Sequence, residues 1–112
     1  MNKINTTIGL EIDTTNSQET VVRLMVDGKT KEYREVTGQS KSQNVLPLIE
    51  KALKELKLRV EDIDEIEVNT GPGSFTGTRV GVTIANALGW TLKIKVNGEE
   101  IALPKYAPSK FD

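Results

Sequence analysis

Apolar positions change their period several times along this chain, and each change marks an element. Ile8-Gly9-Leu10-Glu11-Ile12-Asp13 alternates apolar with small or acidic residues and predicts a strand. A polar turn over Thr14–Glu19 follows. Thr20 to Val26 is β-branched and apolar and predicts a second strand. Asp27-Gly28 is a hairpin signal, and Thr30 to Val36 is its more polar partner. Within that partner, Lys31-Glu32-Tyr33-Arg34-Glu35 reads as an exposed edge. After a loop over Gly38–Ser42, Val45, Ile49, Ala52, Leu53 and Leu56 recur at helical spacing, with Lys51, Lys54 and Glu55 opposite. Leu46 and Leu48 widen that apolar arc. The spacing predicts a helix from Ser42, as N-cap, to Lys57, with Pro47 tolerated in its first turn. Glu65–Thr70 predicts a strand and Thr76–Leu92 a second helix. Lys93–Val96 and Glu99–Leu103 flank Asn97-Gly98, a strong short hairpin signal. Residues 104–112 read as an extended tail.

The predicted order is β-β-β-α-β-α-β. Its later half alternates strand and helix, which implies parallel pairing through crossovers. The fold class is therefore α/β with a mixed sheet. A three-strand meander feeding parallel strands is the layout of a ribonuclease-H-like domain, half of an actin-like ATPase. With 112 residues the chain reads as one domain, 1–112, with its core over about 6–103.

Charge narrows the function classes little. Fifteen basic and 16 acidic residues leave a net charge of -1, so nothing in the balance points to nucleic acid or an anionic membrane. The chain has no cysteine and no histidine, which removes thiolate chemistry, the commonest metal ligand and the commonest general base. No stretch approaches the length of a membrane span and the first residues lack a signal-like apolar run, so a cytoplasmic location is expected.

The most specific stretch is Asn69-Thr70-Gly71-Pro72-Gly73-Ser74-Phe75-Thr76-Gly77-Thr78-Arg79-Val80-Gly81, a strand end, a Gly-rich turn and a helix start. Free N–H groups at a helix start suit an anion. A P-loop needs a Gly-Lys pair, though, and Thr78-Arg79 follows Gly77 here. The same residues also read as a shaped structural loop, made by Gly71, Pro72, Gly73, Ser74, Phe75 and Thr76. Gly77, Gly81, Ala85 and Gly89 then place small residues on one stripe of the helix. Glycine inside a helix costs about 1 kcal/mol against alanine, so close approach of another backbone is implied. That backbone is either this domain's own sheet and first helix or a partner's helix. Asp13 is read as closing a β-turn rather than holding a metal, since it stands without other carboxylates. Ser74, Thr76 and Thr78 have no neighbouring base. Arg79 either holds a carboxylate or covers the helix surface, and Trp90 is read as a packing residue. No catalytic, cofactor-binding or metal-binding residue is assigned.

Residues Asn69–Gly81 resemble the GPGSFTGLRIG signature of the TsaB (YeaZ) family. Leu10-Glu11-Ile12-Asp13-Thr14-Thr15 is similar to that family's opening IDTS, and Ser42–Ile49 to its S-x-x-LLPLI helix start. These matches keep family order and cover roughly residues 6–92. The family serves threonylcarbamoyladenosine formation at adenosine 37 of tRNA and was long labelled glycoprotease-like, or M22 peptidase-like. The resemblance implies an actin-like fold without catalytic ligands, acting as scaffold for a TsaD-like ATPase, with a TsaE-like ATPase joining. An apolar helical face meant for a partner is more than a free monomer normally leaves bare, so a homodimer through that face is expected when the chain is alone. The partner face is carried over onto the two helices, as Leu46, Ile49, Leu53, Gly77, Val80, Gly81, Ile84, Ala85 and Leu88. No cofactor is expected, and direct tRNA contact is left open. The alternatives are a homodimeric regulatory module or a hydrolase, whether peptidase or small ATPase. Three departures stand out: the sequence ends near where the family's second actin-like domain is expected to begin, Lys41 replaces a common histidine, and Asn97-Gly98 replaces the strand leading onward. The resemblance therefore implies a single-domain, N-terminal-half version.

Overall fold

A computed structural model describes residues 7–36 and 41–99. Strand β1 (Ile8–Asp13) pairs antiparallel with β2 (Glu19–Val26), which pairs antiparallel with β3 (Lys29–Val36). Helix α1 (Lys41–Glu55) crosses over to β4 (Glu65–Val68), which lies parallel to β1, and helix α2 (Phe75–Leu92) follows. The sheet order is β3-β2-β1-β4, which places β3 at an edge, as its polarity predicts.

Alternation along each strand sorts the residues into two faces. Leu10 of β1 stands between Leu24 of β2 and Ile66 of β4, and Ile12 between Val22 and Val68. Tyr33 continues that row from β3. Both helices pack on this side: Val45, Leu48, Ile49, Ala52 and Leu53 come from α1, and Val82 and Ala85 from α2. The opposite face carries Glu11, Arg23 and Glu32 side by side. There Arg23 Nη1 lies 3.0 Å from Glu11 Oε2 and Arg23 Nε 2.8 Å from Glu32 Oε1.

Both helices end in the same way. Leu58 N–H donates to Leu53 O (2.8 Å) and Lys57 N–H to Lys54 O (3.0 Å), with Lys57 left-handed at φ 58°. At the end of α2, Ile94 N–H donates to Gly89 O (2.9 Å) and Lys93 N–H to Trp90 O (3.3 Å), with Lys93 at φ 60°. This is the paired closure that usually places glycine at the left-handed position.

Three expectations change. Helix α1 begins at Lys41, so Ser42 falls inside its first turn rather than capping it, and the helix stops at Glu55 rather than Lys57. The strand expected over Lys93–Val96 is reduced to one residue, Val96, which bridges Ile66 in parallel and Glu99 antiparallel. The physical reason is Asn97. Its Oδ1 accepts from Val68 N–H (2.8 Å), its Nδ2 donates to Val68 O (3.0 Å), and its own N–H donates to Ile66 O (2.9 Å). A side-chain amide thus takes the place that a strand backbone would hold beside β4. The Asn97-Gly98 turn itself forms, with φ 53° and 78°. The strand expected over Glu99–Leu103 and the tail over 104–112 lie, apart from Glu99, outside the described residues. Among the described residues no helix is long and apolar enough to cross a membrane.

Candidate functional site

Strands β1 and β4 run parallel, so their C-terminal ends deliver two loops to one place. In open α/β sheets this end is where ligands and partners are met. Here the loops hold each other. Asn69 N–H donates to Ile12 O (2.9 Å), and Asn69 Nδ2 to Asp13 Oδ2 (3.1 Å). Asp13 Oδ1 accepts from Thr15 N–H (2.9 Å) and Thr15 Oγ1 (2.7 Å), an Asx turn of the kind its position predicts.

The Gly-rich turn uses its N–H groups within the chain. Gly71 N–H donates to Asn69 Oδ1 (3.0 Å), Ser74 N–H to Thr15 O (2.7 Å) and Gly77 N–H to Ser74 Oγ (3.1 Å). Those donors are occupied rather than aimed at a phosphate. Ser74 is the N-cap of α2, which accounts for its hydroxyl. The Gly71-Pro72 bond is cis. At Gly73 an added Cβ would lie 2.7 Å from Thr15 O and Cβ, so only glycine lets the two loops meet.

Thr14 is the centre of the arrangement and is fully buried. Its Oγ1 donates to Gly77 O (2.5 Å) and accepts from Gly81 N–H (3.1 Å). Gly77 O and Gly81 N–H are the i and i+4 groups of one helical turn, so the hydroxyl of the residue just after β1 bridges a rung of α2. An added Cβ at Gly81 would collide with that hydroxyl and come within 3.3 Å of Thr14 Cγ2. Sequence reading assigned Thr14 no role of this kind; the available signal was a hydroxyl residue at a strand end together with the glycines four apart.

This contact decides where the small-residue stripe goes. Gly77, Gly81, Ala85 and Gly89 are buried against the chain's own structure. A Cβ on Gly89 would meet Val96 Cγ2 at 2.6 Å. Gly77, Gly81 and Ala85, expected at a partner interface, are therefore corrected to the interior, and so are Ile49 and Leu53 of α1, which line the core under the helices. Of the expected interface, Leu46 is exposed, and Val80, Ile84 and Leu88 are half-buried at the core's margin. Trp90, expected to pack, is 85% exposed. Arg79 lies 5.8 Å from the centroid of the Phe75 ring, over the outer surface of α2.

Asp13 is held below its ordinary value. Burial pushes its pKa up, but the Thr15 N–H, the Thr15 hydroxyl, the Asn69 amide and the Arg23 charge together outweigh burial. A depressed folded pKa means stability that is present above the unfolded value and lost as pH falls through the folded one. Stability should therefore decline on acidification below about pH 4, and Asp13→Asn should flatten that decline while lowering stability near neutrality. Urea unfolding from pH 7 downward checks this; identical pH profiles for both proteins would reject the role of Asp13. Among the described residues no three metal-ligating side chains come together.

The comparisons with known proteins agree with this geometry. The family model for TsaD, tRNA N6-adenosine threonylcarbamoyltransferase, matches residues 20–99. The chain belongs to the family that this model describes, and its relatives include proteins named TsaB and YeaZ. It is 34% identical over 88 residues to the Bacillus subtilis tRNA threonylcarbamoyladenosine biosynthesis protein TsaB, covering 79% of this chain and 38% of that protein. To the Escherichia coli protein of the same name it is 34% identical over 79 residues, covering 70% and 34%. The solved structure of YeaZ from Pseudomonas aeruginosa superposes with a TM-score of 0.76 at 28% identity, over 80% of this chain and 42% of that one. The mixed α/β sheet of the actin-like fold is thereby shown. The chain spans about two-fifths of the length of these TsaB-family relatives.

Proposed function

We propose that this chain is a non-catalytic subunit in threonylcarbamoyladenosine modification of tRNA, docking a TsaD-like ATPase on the outer face of α2 and the start of α1. The observation that carries the reading is an apolar surface that the fold leaves open. Phe75 is 56% exposed and Leu46 48%. On α2, Thr76, Arg79, Val80, Thr83 and Ile84 line a shallow groove of about 350 Å³. Exposed large apolar side chains and a groove with Val80 and Ile84 in its lining support an interaction site here. The matched relatives are named for this pathway, and the TsaD family model describes the proposed partner's own family, which supports a pseudo-symmetric pairing of related folds. A TsaE-like ATPase joining the assembly, and a cytoplasmic location, belong to the same reading. The non-catalytic part rests on the loops described above: the Ser74 hydroxyl serves as a cap and has no histidine to activate it.

The test is titration calorimetry of this chain with the TsaD-like protein of the same organism. Binding is expected, and Val80→Asp or Ile84→Asp should weaken it by about tenfold or more, because each would carry an unpaired charge into the contact. Absence of binding by the unaltered chain, or indifference to both substitutions, would overturn the proposal.

A further inference from the structure

The left-handed turn at Asn97-Gly98 is closed by Val96 and Glu99, which exchange both of their backbone hydrogen bonds, at 2.8 and 2.9 Å. The Asn97 side chain reaches out of this turn to β4. Its amide clasps Val68 through both Oδ1 and Nδ2, and the Asn97 N–H bonds Ile66 O. These contacts fasten the segment after α2 to the sheet. They also keep Val96 against Gly89, where an added Cβ would lie 2.6 Å from Val96 Cγ2.

The same dipeptide carries a reaction of its own. The backbone nitrogen that follows an asparagine closes a five-membered ring on the side-chain Cγ when the two meet. Glycine leaves that nitrogen uncrowded, since it has no Cβ. Asn97 is the only asparagine in the chain that precedes glycine. Gly98 is exposed, and nothing lies within 4 Å of where its Cβ would stand. In the fold, however, the Asn97 amide is bonded at both heteroatoms to Val68. It must leave Val68 before Cγ turns back onto Gly98 N.

We infer that Asn97 is a modification site, a site of deamidation guarded by its clasp on Val68, so that opening of the clasp sets the rate. Gly98 N bonds Asn97 Cγ, and the side-chain nitrogen leaves as ammonia with the proton that Gly98 N gives up. Water then opens the cyclic imide at either carbonyl, giving aspartate or its β-linked isomer. For the fold the change runs one way. An amide offers a donor to Val68 O and an acceptor to Val68 N–H, whereas a carboxylate only accepts. One carboxylate oxygen would face Val68 O with no proton between them, so the clasp does not close again. The β-linked isomer also adds a backbone carbon inside a tight turn. Each reacted chain loses this tie between the end of α2 and β4.

Peptide mapping by mass spectrometry, with an isoaspartate assay, tests this on the 112-residue chain kept at mildly alkaline pH. Two hydrogen bonds must open first, so the native chain should react about tenfold or more slowly than the chain unfolded in urea. Val96→Ala loosens the segment without touching Asn97 or Gly98, and should react at an intermediate rate while keeping native far-UV circular dichroism. In urea, Gly98→Ala should react more slowly than the parent sequence, which identifies the attacking nitrogen. Asn97→Asp makes the product directly. In that variant the amide hydrogens at positions 68 and 97 should exchange about tenfold or more faster than in the parent. A native chain that reacts as fast as the unfolded one would overturn the inference. So would an absence of product in urea, a Val96→Ala rate equal to the native parent's, or unchanged exchange protection in Asn97→Asp.

Discussion

Gly81→Leu should lower the stability of the domain by about 2–4 kcal/mol, a large part of the roughly 5–15 kcal/mol typical of such domains. The helix itself would favour leucine by about 1 kcal/mol. That gain is outweighed, because the side chain would be driven into Thr14 at a site with no free volume. Overpacking costs about 1–3 kcal/mol. Displacing the Thr14 hydroxyl adds a further loss of about 1–3 kcal/mol for buried polar groups left unmatched. The midpoint of thermal unfolding should fall by roughly 10 °C or more. Ala85→Leu, at a fully buried position on the same stripe, should act in the same direction. If both variants melt with the parent protein, the stripe does not pack on the sheet as described.

Thr14→Val should cost about 1–3 kcal/mol although it changes almost no volume. The substitution keeps the packing and removes one hydroxyl that serves Gly77 O and Gly81 N–H together. Thr14→Ser keeps the hydroxyl and loses a methyl group, so its cost should be nearer 1 kcal/mol. The order Val worse than Ser is the discriminating result, read from urea unfolding with far-UV circular dichroism confirming native helix content. A valine variant as stable as the parent would mean that α2 closes its own rung and has no need of β1.

The strand and helix periods could be read from the sequence because each element has one buried face. The meander and both helices follow from alternation and 3.6-residue spacing, and the parallel return of β4 from the strand–helix–strand order. The destination of the small-residue stripe could not be read. Glycines four apart say that a backbone comes close, and Gly81 fits a partner's helix as well as it fits Thr14. Only the parallel pairing of β1 with β4 brings Thr14 over α2. The final strand failed for a different reason. The Asn97-Gly98 signal is local and correct as a turn, but the same asparagine reaches back to Val68, and a long-range amide contact leaves no trace in a local pattern. Of the expected interface, periodicity could mark which residues are apolar. It could not separate Ile49 and Leu53, which the sheet covers, from Leu46, which it leaves bare.

The lysines that close the two helices have an electrostatic side. A left-handed residue with a Cβ is strained by roughly 1–2 kcal/mol where glycine is not. At both ends the chain nevertheless places a cation, Lys57 after α1 and Lys93 after α2, each at the C-terminal end of its helix. Positive charge there interacts favourably with the helix dipole, by about 0.3–1 kcal/mol. The strain is thus partly offset by charge, and the offset is screened by salt. The C-terminal end of each of these two helices is therefore tied to the ionic strength around it, in a protein whose net charge gives no hint of such dependence.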